Sequence, residues 1–398
     1  MQNFIFISPN FPVTYWKFCA ELKNNGLRVL GIGDCPYEEL DQHLRESLDE
    51  YYKVSTLENY DEVFKAVAFF TYKYGKIDWL ESNNEYWLER DAHLRTEFNI
   101  TTGFKDGDIS HVKYKSLMKE YYKKAGVPTA RYHVIESIDD AREFIDTVGY
   151  PVIVKPDNGV GASHTYRLRS DDELEFFFAN KDDEVYIMEE FVNGYVRTYD
   201  AIIDQNGEPI FESGNITPDS LMDVVNEARN TIYYIVPQLP DNLIDIGRRT
   251  VKAFGVKARF IHLEYFVLNA DQEGLGKKGD IVGLEVNMRP SGGYTPDMYD
   301  YAYETDVYKL WADMIAFNKP TTEPYKVRKF CAFCGRRDGM EFNLNHEAIM
   351  AKYGPNMRMW GRIPDALADA MSNQMYTAVF DTEEEMNRFF SDLLTVKE

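Results

Sequence analysis

Nowhere does the sequence carry an apolar run approaching the ~20 residues of a membrane-spanning helix, so no transmembrane segment and no membrane partner are expected. Cysteine is scarce. Four in 398 residues cannot make a disulfide framework, and they fit reduced thiols in a cytoplasmic protein. Cys331 and Cys334 form one C-x-x-C, but no second pair or nearby histidine cluster completes a zinc site, so residues 329–334 read as a strand with buried thiols. Basic residues number 44 against 66 acidic ones, a net charge of −22, which argues against a nucleic-acid binder or a binder of anionic membranes. The first seven residues lack a basic start and are too short for a signal-peptide core; they read as a first strand. The loop that follows has no G-x-G-x-x-G, so no dinucleotide site is expected there.

What is present is a soluble globular composition, 44% hydrophobic and 28% charged, in a chain long enough for two or three domains. Residues 281–293, I-V-G-L-E-V-N-M-R-P-S-G-G, alternate as a strand and then break at Pro290 and the glycine pair. On such a strand Glu285, Asn287 and Arg289 share one face. A solvated polar face would give the same pattern. A second strand, residues 259–268, precedes it across a glycine-rich turn and reads as its hairpin partner, which brings Glu264 beside Glu285 and Asn287. Two converging carboxylates repel unless a cation lies between them, and hard oxygen ligands suit Mg²⁺. Arg289 would then stabilise a neighbouring anion.

Two further stretches carry positive charge toward a candidate phosphate site. Residues 112–126 are helical by period and stop at A-G-V-P, with Lys115 near the start. Residues 150–156, Y-P-V-I-V-K-P, form a strand that ends at Lys155 and opens a loop with Gly159, Gly161, Ala162 and Ser163. Such a turn lets backbone N–H groups approach phosphate, and the lysine adds a point charge. A lone G-x-G is common in hairpins, and a single lysine on a helix is most simply solvated; Lys113, Lys119, Lys123 and Lys124 are expected to be so.

These motifs occur in a fixed order: Lys115 before A-G-V-P, P-V-I-V-K-P with its loop, M-E-E-F-V-x-G at 188–194, then H-x-E and E-x-N-x-R-P. In that order the chain resembles the ATP-grasp ligases over roughly residues 1–320. The resemblance implies a mixed α/β fold: a Rossmann-like preATP-grasp domain (1–110), an ATP-grasp domain of two α+β subdomains (111–190 and 191–320), and a C-terminal α+β appendage packed on the core (321–398). It implies ATP and Mg²⁺, with Mn²⁺ as a substitute. By the resemblance Lys115 and Lys155 meet phosphates, and the backbone at Glu190, Phe191 and Val192 reads adenine, with the Glu189 carboxylate near the adenine amino group or ribose. Glu264, Glu285 and Asn287 hold metal, and Arg289 lies beside the reacting carboxylate.

The implied activity is an ATP-dependent carboxylate–amine (or carboxylate–thiol) ligase that works through an acyl phosphate and releases ADP and phosphate. Its partners would be a small-molecule carboxylate and an amine, in a cytoplasmic protein compatible with a homodimer. A biotin-carboxylase-like subunit using bicarbonate, or a non-catalytic ATP-binding protein, are the alternatives; no A-M-K-M-like carrier signature occurs in the chain. Val196 stands where many members of that family carry an acidic residue, and Arg197, which follows it, would meet an anionic substrate or form a surface ion pair. Residues 214–230 are a candidate substrate loop, and Arg336, Arg337 and Arg358 are candidates to face the cleft.

Overall fold

A computed structural model describes residues 1–159, 164–218, 224 and 228–397. Strands β1 (Asn3–Ile7), β2 (Arg28–Gly33), β3 (Glu50–Lys53) and β4 (Trp79–Glu81) form a parallel sheet in the order β3-β2-β1-β4. Every residue of β1 is buried, as a parallel strand covered on both faces requires. Phe4 and Phe6 pack with Phe18 and Trp311 on one side; Ile5 and Ile7 pack with Val63, Val67 and Phe70 on the other.

A second sheet contains β5 (Tyr132–Ile135), β6 (Val152–Pro156), β7 (Tyr166–Leu168) and β8 (Tyr186–Glu190), ordered β5-β8-β6-β7 and antiparallel. Two helices, Ile138–Val148 and Asp171–Asn180, cover its apolar side through Ile145, Leu174 and Phe177. Their starts are fixed by Ser137 and Ser170, whose hydroxyls accept backbone N–H groups that the first turn leaves unpaired.

The third sheet has nine strands among the described residues: β9 (Gly194–Ile203), β10 (Pro209–Ser213), β11 (Asn215–Thr217), β12 (Ile232–Ile235), β13 (Arg259–Leu268), β14 (Ile281–Asn287), β15 (Phe330–Arg336), β16 (Met357–Arg362) and β17 (Gln374–Phe380). They run β14-β13-β9-β11-β12-β15-β17-β16, with β10 paired to β9 around the Gln205–Asn206–Gly207 turn. Strand β12 pairs with β15, so the C-terminal strands continue this sheet. Cys331 and Cys334 are three residues apart on β15 and point to opposite faces, each fully buried in a different apolar cluster. No helix among the described residues is long and apolar enough to cross a membrane.

Candidate functional site

The register of three adjacent strands assembles the acidic half of the site. Glu264 of β13 lies opposite Glu285 of β14, and His262 lies opposite Asn287. On the other side of β13, β9 sets Thr198 opposite Glu264 and Asp200 opposite His262. Cross-strand partners share a face, so these six side chains converge. Thr198 Oγ1 donates to Asp200 Oδ2 at 2.6 Å, His262 Nδ1 to Asp200 Oδ1 at 2.6 Å, and His262 Nε2 to Glu264 Oε1 at 3.0 Å. Burial pulls the imidazole pKa down, but Asp200 and Glu264 outweigh it and raise it to about 9. Burial pushes the Glu264 carboxyl up, and hydrogen bonding from His262, with Arg289 and Lys155 nearby, outweighs it and holds it below its ordinary value. Asn287 Nδ2 is 3.4 Å from Glu264 Oε1, and Arg289 Nη2 is 3.4 Å from Asn287 Oδ1. This donor set of two partly exposed carboxylates and an amide oxygen fits a hard divalent cation.

The basic half arrives from two other elements. Lys115 is the first residue of the helix Lys115–Lys124; its Nζ donates to Gly159 O at 3.0 Å and lies 3.3 Å from Glu285 Oε1. Asp157, two residues beyond Lys155, caps that helix: its carboxylate accepts from Ser116 N at 2.7 Å and Ser116 Oγ at 2.8 Å. The cap ties the Lys115 helix to the end of the Lys155 strand. Lys155 Nζ is 2.7 Å from Glu189 Oε2, and Lys119 Nζ is 2.5 Å from Glu189 Oε1. Burial raises the Glu189 carboxyl, yet the two ammonium groups outweigh it and hold its pKa down to about 2. For Lys119 burial wins and lowers its pKa; for Lys155 burial is outweighed by Glu189, Glu285 and Glu264, and its pKa rises.

Several expectations need correcting. Lys119 is 3% exposed and Lys113 5%, so neither is a solvated side chain, whereas Lys123 and Lys124 are exposed. Lys119 stands one turn after Lys115, so the face that buries one buries the other; the i,i+4 spacing was the available signal. Lys113 Nζ donates to Glu85 O at 3.0 Å. Both Glu189 oxygens meet ammonium groups, so this carboxylate faces the lysines. Arg197 pairs with Tyr265, a core residue, on the face of β9 opposite Thr198 and Asp200, away from the carboxylates. Arg336 spends its guanidinium on Leu393 O and Leu344 O, Arg337 on Arg229 O, Ala368 O and Asp369 O, and Arg358 on the carbonyls of residues 355–357. All three bind backbone within the C-terminal region and its neighbours.

Along the strand end at Glu190, the carboxylate is held by Arg131 N, Nε and Nη2 at 2.7, 3.0 and 2.7 Å, and the Glu190 N–H donates to Arg131 O. Phe191 O accepts from Gln272 Nε2 at 2.8 Å, and Val192 O accepts from Gly194 N. The Val192 N–H has no acceptor among the described residues. Gly161, Ala162 and Ser163, and residues 219–223 and 225–227 of the candidate loop 214–230, lie outside the described residues. Sequence reasoning gave no role to Thr198, Asp200 or Asp157. A buried Asp two residues after a Thr on a strand next to H-x-E is a signal only once the strand order is known.

Residues 114–232 match the family model of the carbamoyl-phosphate synthase L chain, ATP binding domain. An L-arginine-specific L-amino acid ligase of Bacillus subtilis is 22% identical over 268 residues, 65% of this chain; the match spans 62% of that curated relative, less than two thirds of its length. The solved L-amino acid ligase of Bacillus licheniformis superposes with a TM-score of 0.71 at 14% identity, covering 100% of this chain and 98% of that one. The biotin carboxylase domain of the Hydrogenobacter thermophilus 2-oxoglutarate carboxylase, solved with MgADP and bicarbonate, also gives 0.71 at 15% identity, covering 99% and 90%. Residues 114–232 thus carry the family-model match, and across whole chains the protein shares the fold of ATP-grasp ligase structures.

Proposed function

We propose that the protein is an ATP-dependent ligase that activates a small carboxylate as an acyl phosphate and joins it to an amine, or to a thiol, releasing ADP and phosphate. The observation that carries this reading is the approach of Lys115 to Glu285, 3.3 Å, at the point where Glu264, Glu285 and Asn287 converge. Cations for phosphate and ligands for a metal therefore meet at one place. The strand end at Glu190–Val192, with its available Val192 N–H, offers an adenine edge on a separate element. In this reading 1–110, 111–320 and 321–398 act as the preATP-grasp, ATP-grasp and C-terminal units.

Carboxylates are poor electrophiles, and phosphorylation supplies the leaving group that amide formation needs. Mg²⁺ held by Glu264, Glu285 and Asn287 would neutralise phosphate oxygens and bring two anions together. Lys155 and Lys115 bind the phosphates, exchanging their present carboxylate and carbonyl partners for phosphate oxygens. Arg289, beside Asn287, stabilises charge on the transferring phosphoryl group and the carboxylate that receives it. His262, fixed by Asp200, holds the Glu264 carboxylate in one orientation. ADP release screened against panels of amino acids and small carboxylates with Mg²⁺ tests the reading. Acceptor-dependent ADP is expected for at least one pair; ATP turnover indifferent to every carboxylate and amine would count against it.

A further inference from the structure

The end of β14 is held in an unusual way. Its last ladder pair is His262–Asn287, so the next residue, Met288, has no strand partner for its peptide groups although it is 1% exposed. A buried peptide must find partners elsewhere. Met288 finds them in charged side chains tied to the N-terminal sheet. Its N–H donates to Glu85 Oε2 at 3.3 Å, and its carbonyl accepts from Arg259 Nε at 3.0 Å. Arg259 Nη2 in turn donates to Glu81 Oε2 at 2.7 Å, and Arg95 Nη2 lies 2.8 Å from Glu81 Oε1. Glu81 is the last residue of β4, Arg95 belongs to the helix Leu88–Glu97, and Glu85 lies in the loop between them. Lys113 braces Glu85 from the other side, Nζ to Oε1 at 3.7 Å. All five charged residues are at most 5% exposed.

Both peptide groups of the residue between Asn287 and Arg289 are thus fixed by charge-assisted bonds in a desolvated setting, where such bonds are strong and costly to break. We infer that the N-terminal unit is a positioning device for this strand end: Glu85, and Glu81 acting through Arg259, set the backbone that aims Asn287 and Arg289. This rests on the ligase reading for the roles of those two residues, but the clamp itself does not. Glu81, Glu85 and Arg259 are positioning residues, since none needs to touch a reactant. In such a scheme a shift of about 1 Å in Arg289 lowers turnover by as much as roughly 100-fold while nucleotide affinity, set mainly at Lys115, Lys155 and Val192, is retained.

The test compares Glu85→Ala with Glu85→Gln, whose amide oxygen still accepts the Met288 N–H, in the full chain. Hydrogen–deuterium exchange of the peptide covering residues 286–293, with no substrate added, should quicken at least tenfold in E85A and stay near wild type in E85Q. With an acceptor that turns over, E85A should lose 10- to 100-fold in kcat with the KM for ATP within about threefold, and E85Q should recover most of it. Arg259→Lys, which keeps the charge but loses the fork, should resemble E85A if that variant fails to fold. Unchanged exchange in E85A would overturn the clamp. Faster exchange with undiminished kcat would overturn its role in positioning. Faster exchange in E85A, together with wild-type ADP release that is indifferent to every carboxylate and amine, would leave the clamp standing and remove the ligase reading instead.

Discussion

At the scale of single residues the account turns on charge that is buried and matched. Glu264 and Glu285 face each other across two strands, and replacing either with Gln removes charge from the proposed metal set while keeping its shape. Glu264→Gln and Glu285→Gln should each abolish turnover at ordinary Mg²⁺ with the fold intact by circular dichroism; normal activity in either would remove the metal assignment. Glu189 makes a prediction about pH. Its folded pKa of about 2 lies below the ordinary 4.5, so its contribution to stability is fully present above pH 4.5 and is lost as pH falls toward 2. Glu189→Gln leaves two buried ammonium groups poorly matched, which should cost roughly 3–5 kcal/mol near neutral pH. Urea unfolding at a series of pH values should show that the variant loses less stability than wild type between pH 4.5 and 3. The lysines at 115 and 155 and the acidic strand were legible from motif and alternation. Glu189 as the counter-ion of Lys119 and Lys155 was not, because the approach of a helix to a sheet across 70 residues leaves no local trace.

At the scale of elements, position depends on close packing between the Lys115 helix and β14. A Cβ on Gly283 of β14 would stand 2.7 Å from two atoms of the Tyr122 ring, and the Gly283 N–H donates to Pro128 O just past the helix. Only a residue without a side chain lets the Tyr122 ring pack this closely on β14. Gly283→Ala should therefore destabilise by about 1–3 kcal/mol in urea unfolding. It should also weaken nucleotide binding, because the same helix carries Lys115. An unchanged unfolding midpoint would show that the helix can shift freely. The hairpin of β13 and β14, the β9–β10 turn and the helix Asp171–Asn180 were legible from period and caps. Strand β12 was not: Ile-Tyr-Tyr-Ile is too short to show alternation, and its partners β11 and β15 come from opposite ends of the last half of the chain. Missing β12 made the C-terminal strands look like an attached unit, although they extend the central sheet.

At the scale of the whole molecule three sheets contribute to one site, and each supplies a different part. The antiparallel sheet of β5–β8 brings Lys155 and Glu189, the large sheet brings the acidic strands, and the parallel sheet braces Met288. This division places Lys115 and the acidic strands together and the Val192 N–H on a separate strand end; in the proposed reading the terminal phosphate of a bound nucleotide would be the group that meets the acceptor. The central claim is therefore that the γ-phosphate is transferred to a carboxylate. Hydroxylamine in place of the amine, with ATP, Mg²⁺ and an active carboxylate, tests it most directly, with the nucleotide product as readout. Hydroxamate formed in step with ADP and inorganic phosphate is the predicted result. AMP and pyrophosphate would contradict it, because they require attack at the α-phosphate.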